Sequence, residues 1–201
     1  MNTPGTVCVY FVRHGETNWS LTGQHTGRTD IPLTGPGREQ VTSTRRLLEG
    51  IAFTAAFSSP MLRARQTGTL SMVHPSPVID PDLSEWDYGA FEGRTTPDIR
   101  RDDPGWNVFR DGCPDGETTS DVADRADRLI DRLRLLRGNV ALFSHGQFGS
   151  ALAARWIGLP LAQGQHFPLG AASVSVLGYE PGHPEVPVIS LWNDTTPLAP
   201  Q

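Results

Sequence analysis

A chain of 201 residues with a hydrophobic share of 37% is long enough to bury a sizeable core without disulfide or metal staples. Its net charge of −5, with no long basic run, argues against nucleic acid as its main partner. All 17 basic side chains are arginines, which excludes Schiff-base lysine chemistry and a Walker lysine and leaves planar forks suited to phosphate or carboxylate.

No apolar stretch approaches the ~20 residues of a membrane span. Residues 1–6 lack the charged and apolar regions of a signal peptide, so a cytoplasmic protein with no membrane partner is expected. Of the two cysteines, Cys8 lies inside an apolar run and reads as a core residue, and Cys113 lies in the loop Asp111-Gly112-Cys113-Pro114. Without an export signal no disulfide is expected, and neither cysteine has a basic neighbour that would make it a nucleophile.

In chain order, residues 7–13 read as a buried strand. Leu33 to Gly37 reads as a helix entry, with Val41, Leu47 and Leu48 on an apolar face running up to Gly50. A second strand is expected over 52–58. A helix follows over about 60–72, with Pro60 in its first turn. Val78-Ile79 is a short strand. Residues 80–116, rich in Pro, Gly, Asp and Trp, read as a lobe with little regular structure over the site. Val122, Ala126, Leu129, Ile130, Leu133 and Leu136 then recur at helical spacing. A strand over 139–144, a helix over about 147–157, and two closing strands over 171–179 and 186–192 complete the chain. The alternation predicts one α/β domain over 1–201. Its fold is a three-layer αβα sandwich whose mostly parallel sheet ends in an antiparallel edge. Exposed edge strands would suit a homodimer.

Two of these strands end in the same way. Val7 to Val12 runs into Arg13-His14-Gly15-Glu16-Thr17, and Val140 to Phe143 runs into Ser144-His145-Gly146. Open α/β sheets bind ligands outside the carboxyl ends of their strands, so both imidazoles are placed to meet at one spot. A neutral imidazole at His14 can attack phosphorus and form a phosphohistidine, Arg13 can fork onto phosphate oxygens, and a charged His145 can stabilise the transferring group. A third strand end, Ser58-Ser59, leads to Arg63 and Arg65. These sit two apart on a helix and face different ways; spacing alone does not choose between them. In Leu83 to Gly93 an acid placed between aromatic residues would be partly desolvated, which raises its pKa and suits a proton donor; Glu85 is the candidate, with Asp87 and Glu92 as rivals. The six histidines show no metal-ligand spacing, and no glycine-rich stretch matches a nucleotide-binding loop, so neither a metal nor a cofactor is expected.

Taken together these residues resemble the histidine phosphatase superfamily, the phosphoglycerate mutase-like proteins. Six motifs in chain order carry the likeness: Arg13 to Trp19, Thr26 to Thr34, Ser59 to Thr67, Glu85 to Gly93, Asp115 to Thr118 and Ser144 to Gly146. Within it, Gly23 to Gly27, Glu85 to Gly89 and Trp106 through Cys113 look nearest to fungal-type sedoheptulose bisphosphatases and small actinobacterial acid phosphatases. The resemblance implies a metal-free phosphohistidine mechanism with His14 as nucleophile and with Arg13, Arg63 and His145 as the phosphate pocket. It makes Glu85 the acid and base. His25, Thr26, Gly27, Tyr88, Gly146 and the loop Gly116-Glu117-Thr118 would line the substrate side. Ser20 stands where many members carry asparagine, leaving its hydroxyl as a weaker phosphate contact. The expected activity is a phosphomonoesterase for a small phosphorylated metabolite such as a sugar phosphate or bisphosphate. Arginines interleaved with aspartates in 94–116 ill suit a phosphoglycerate mutase, the alternative within the class. A phosphopeptide phosphatase and a non-catalytic phosphate-binding protein are the other readings. The last would call for loss of one of Arg13, His14, Arg63, Glu85 and His145, and all five are present.

Overall fold

In the computed structural model, which describes residues 5–195, the strands form one six-stranded sheet. They are β1 (Val7–Arg13), β2 (Phe53–Ser58), β3 (Val78–Ile79), β4 (Gly138–Ser144), β5 (Val174–Glu180) and β6 (His183–Asp194). Their spatial order is β3-β2-β4-β1-β5-β6. The first four in that order run parallel, and β5 pairs antiparallel with both β1 and β6. The helices are α1 (Asn18–Thr22), α2 (Gly35–Leu48), α3 (Leu62–Leu70), α4 (Thr96–Asp102), α5 (Val108–Asp111), α6 (Thr119–Arg134) and α7 (Gly146–Trp156).

The period-2 alternation of strands splits the core between the two faces of the sheet. Val7, Val9 and Phe11 of β1 and Val140 and Leu142 of β4 join α6, α7 and the 83–113 segment in one cluster. Val12, Ala141 and Phe143 point to the opposite face, against Leu48 of α2 and Val73. Both faces are therefore covered, and the expected αβα sandwich with an antiparallel edge is the observed fold. Its helices are amphipathic where they lie on the sheet. On α6, Val122, Ala126, Leu129, Ile130 and Leu133 are buried, each of the larger ones worth roughly 1.5–3 kcal/mol.

The element boundaries differ from expectation in several places, and β5 starts at Val174 where a strand from 171 was expected. α3 starts at Leu62 with Met61 as N-cap, so Pro60 lies outside the helix. β6 starts at His183, because Glu180 pairs with His183 directly across Pro181-Gly182. It can carry Pro184 and Pro187 because β6 is the edge strand, where a missing N–H can face solvent. The 80–116 segment is more regular than its composition implies. It holds 3₁₀ turns at Pro81–Leu83 and Gly89–Phe91 together with α4 and α5. Both α1 and α4 start from capping boxes, Thr17 with Ser20 and Thr95 with Asp98. Each is too short to show helical periodicity.

Close backbone approach explains one glycine of the first histidine motif. A methyl group at Gly15 would overlap the carbonyl oxygen of Gly37 at the start of α2 and press on Val41. Gly15→Ala is expected to lower stability by about 1–3 kcal/mol, the usual cost of overpacking. Urea unfolding should show a lower midpoint at an unchanged slope; an unchanged midpoint would contradict the contact.

Candidate active site

Adjacent parallel strands bring three chain segments to one edge of the sheet. β1 pairs Arg13 with Ser144 of β4, and β2 pairs Ser58 with Phe143. The ladder continues past the strand ends: His14 N donates to Ser144 O (2.9 Å) and Ser59 N to Phe143 O (2.9 Å). His14, Ser59 and His145 are thereby set side by side, as the carboxyl-edge argument required. A cavity of about 310 Å³ opens above them, lined by Arg13, His14, His25, Glu85, Tyr88 and Gly146 among others.

The His14 ring is fixed by a 2.7 Å hydrogen bond between Nδ1 and the Gly15 carbonyl oxygen. A carbonyl only accepts, so Nδ1 carries the proton and Nε2 keeps its lone pair. Burial, followed by the charges of Arg13 and Arg63, holds the His14 pKa well below the usual histidine value. The ring is therefore a neutral imidazole near pH 7. Beside it, Arg13 Nη1 donates to Leu169 O, while the buried Nε finds no partner among the described residues. An unsatisfied buried donor next to a cavity marks a place for an anionic acceptor. A methyl at Gly146 would stand 3.2 Å from Nε and 3.3 Å from Cζ of this guanidinium, which would have to give by a few tenths of an ångström.

Geometry separates the two arginines that spacing left open: Arg63 is fully buried and Arg65 exposed. Neither Arg63 nor His145 is among the residues that line the cavity. Arg63 donates through Nη2 to Thr26 O (2.8 Å) and Gly27 O (3.0 Å) and through Nη1 to Thr29 O (3.0 Å). Its Nε donates to His145 Nδ1 (3.2 Å). Since Nδ1 accepts, the His145 proton resides on Nε2, which lies 2.7 Å from Ser59 Oγ. Burial, then Arg63 and His14, keep this imidazole neutral too. His145 thus lies beneath the site, its ring edge-on to His14 at 5.2 Å, with both ring nitrogens engaged by Arg63 and Ser59.

Glu85 faces the cavity together with the buried Tyr88. Its carboxylate sits on the amino end of α7, where Oε1 accepts from Phe148 N (2.8 Å) and Trp86 N (3.0 Å) and Oε2 from Gln147 N (3.1 Å). The rival acids serve elsewhere. Asp87 pairs with Arg28 at 2.8 Å, and Glu92 accepts from Gly27 N and Thr29 N at 3.0 Å.

The loop 116–118 does not line the cavity as the resemblance implied. Glu117 instead forms a two-pronged pair with buried Arg125 of α6 (2.9 and 2.8 Å) and accepts from Asp87 N (2.9 Å), while Thr118 caps α6. Arg125 also holds the carbonyls of Asp82 (3.0 Å) and Ser84 (2.6 Å), so it fixes the segment that carries Glu85. The sequence reading missed it because an arginine between apolar helix positions looks solvated. Arg125→Met should cost roughly 3 kcal/mol, since it strands a partly buried Glu117, and Arg125→Met/Glu117→Leu should recover much of that in urea unfolding. Failure of the double variant to recover would place the cost in the lost carbonyl bonds.

Of the residues assigned to the substrate side, Ser20, His25, Thr26, Tyr88 and Gly146 line the cavity and Gly27 does not. Gly27 uses its N–H on Glu92 and its carbonyl on Arg63. The Ser20 hydroxyl is engaged by the α1 capping box, donating to Thr17 O (3.0 Å) and accepting from Thr17 N (2.8 Å). Gln24, Thr96, Gln147 and Ser150 also line the cavity and were not anticipated. Among the described residues no group of three or more His, Cys, Asp or Glu side chains is placed to hold a metal. Both cysteines are buried and unbridged, and burial, then the nearby Asp87 and Glu117, push the Cys113 thiol up to about 12.

Three histidines, His14 and His145 buried and His25 half-buried, make stability acid-sensitive. His14, His145 and His25 all have lowered pKa values, His25 to about 4 through burial. As pH falls below about 6.5 the unfolded chain takes up these protons and the folded chain does not, so stability drops. For His25 the drop is complete near pH 4. The urea midpoint should fall between pH 7.5 and pH 5.0, and a flat profile would contradict buried neutral rings.

Such a fold and such a cavity define a class. Residues 9–195 match the histidine phosphatase superfamily (branch 1), and the chain belongs to that family and is a phosphatase enzyme. Among curated proteins it is 40% identical to an acid phosphatase of Mycobacterium tuberculosis over 94% of each chain. It is 38% identical to sedoheptulose 1,7-bisphosphatase of Saccharomyces cerevisiae over 74% of this chain and 66% of the yeast protein. A solved structure of the Mycobacterium tuberculosis open reading frame Rv3214 product superposes with a TM-score of 0.86 at 37% identity, covering 92% of this chain and 96% of that one. No helix among the described residues is long and apolar enough to cross a membrane.

Proposed function

We propose that this chain is a phosphomonoesterase that hydrolyses a small phosphorylated metabolite, a sugar phosphate or bisphosphate, through a phosphohistidine and without a metal. The observation that carries the reading is the neutral His14, its Nε2 lone pair free beside the unpartnered Arg13 Nε and across the cavity from Glu85. In the first step His14 Nε2 bonds to phosphorus as the ester P–O bond breaks, and Glu85 delivers a proton to the leaving oxygen. In the second, Glu85 takes a proton from water, the water oxygen bonds to phosphorus and the N–P bond breaks, releasing inorganic phosphate. Arg13 holds the phosphoryl oxygens. Arg63 and His145 form the floor, where the Arg63 charge offsets that of the phosphoryl group. The phosphatase names of the relatives at 40% and 38% identity support hydrolysis over transfer, although relatives at 30–31% are named probable phosphoglycerate mutases.

The test is free-phosphate release across sugar phosphates, sugar bisphosphates, phosphoglycerates and phosphopeptides with a chelator present. Release from metabolites supports the proposal. Transfer between hydroxyls with little free phosphate would make the chain a mutase, release from phosphopeptides alone would make it a protein phosphatase, and a loss of activity in chelator would overturn the metal-free step.

A further inference from the structure

We propose that the site takes phosphomonoesters bearing a second anionic group, and that Arg100 is the residue that reads it; this rests on the phosphomonoesterase reading above. The cavity over His14 continues into a second one of about 260 Å³, and the two share the walls formed by His25, Thr96, Gln147 and Ser150. The second cavity thus adjoins the first along α4. Thr96 lines both cavities and Arg100 only the second. Four residues apart, they lie on one face of the helix with Arg100 about 6 Å further from the phosphoryl end.

Charge singles out Arg100. Of the four arginines between residues 94 and 110, Arg94 pairs with Asp102, Arg101 with Asp98 and Arg110 with Asp111. Arg100 has no ion pair among the described residues. Its only hydrogen bond there is from Nε to Trp106 O at 2.9 Å. That bond orients the fork and leaves both Nη groups for a ligand. The anchor is itself rigid, since Trp106 is buried, donates Nε1 to Gly112 O (2.9 Å) and stacks edge-on against His25 at 5.3 Å. Among the described residues no carboxylate lines the second cavity. The remaining polar side chains are amides, Gln147, Asn107 and Gln165, with Asn107 Nδ2 donating to Gln165 Oε1 at 3.0 Å. Neutral donors and acceptors between two arginine-bearing ends fit a hydroxylated carbon chain with an anion at each terminus.

The experiment uses the full chain and a ruler of ligands. Linear α,ω-alkanediol bisphosphates of increasing length are compared with alkyl monophosphates of the same length as inhibitors of p-nitrophenyl phosphate hydrolysis. The readout is the ratio of inhibition constants, from which general effects on the site cancel. At the length that spans the two cavities the bisphosphate should bind roughly tenfold tighter, the size of one charge-assisted contact. The ratio should fall to near one in Arg100→Gln, persist in Arg101→Gln and shrink with added salt. A ratio near one at every length in the unaltered protein, or a ratio retained in Arg100→Gln, would overturn the proposal while the phosphatase reading stands. Absence of p-nitrophenyl phosphate turnover would count against the phosphatase reading instead, and calorimetric titration of the same ligand pairs would still test Arg100.

Discussion

Replacing His14 by alanine is expected to reduce phosphate release from p-nitrophenyl phosphate by roughly 10⁴–10⁶-fold, the range seen when a covalent nucleophile is removed. The size follows from what His14 alone provides. Its Nε2 is the free nitrogen of a neutral ring at the cavity, whereas both ring nitrogens of His145 have protein partners. His145 is therefore not free to take over the bond to phosphorus. A chemical-quench experiment provides the second readout. The unaltered protein mixed briefly with substrate should carry an acid-labile phosphoryl group, and the variant should carry none. The variant should fold, because the neutral ring contributes one side-chain hydrogen bond, to the adjacent Gly15 carbonyl. Residual turnover within tenfold of the original would remove His14 as nucleophile.

Glu85→Gln has the second-largest expected effect, and its signature is a dependence on the leaving group. Esters of alkyl alcohols need a proton on the departing oxygen and should slow roughly 10²–10⁴-fold, while aryl phosphates, whose leaving group is already stable as an anion, should slow far less. The comparison within one variant matters because the substitution also disturbs the site. The carboxylate accepts three backbone N–H groups through two oxygens, and an amide brings one oxygen and two donors to the same place. Loss of those bonds would lower all rates alike, whereas loss of proton transfer separates the two substrate types. Equal losses on both would assign Glu85 to orienting the amino end of α7.

Much of the fold is legible locally. The apolar runs of β1 and β4 are buried on both faces, so they appear as continuous hydrophobic stretches, and α6 repeats its apolar residues at helical spacing. The short helices α1, α4 and α5 escape such patterns because five, seven and four residues are too few to repeat. Their capping residues mark them, yet Thr17-x-x-Ser20 and Thr95-x-x-Asp98 look like any polar loop until a helix is seen to follow. The same limit applies to Ser20, whose hydroxyl looks available in sequence and is engaged in structure.

By itself the sequence determined the class of fold, the two histidines at strand ends, and a set of fixed cations made only of arginine. These are properties of residue type and spacing, which adjacent parallel strands convert directly into proximity. The tertiary structure decided how each group is used. It buried Arg63 beneath the 26–29 carbonyls, gave His145 two partners, set Glu85 on a helix end, tied Glu117 to Arg125, and left Arg100 without an acid among the described residues. Each of those outcomes is a contest among donors and acceptors distant in the chain. The winner depends on which groups the packed core brings within about 3 Å, a quantity that no local pattern contains.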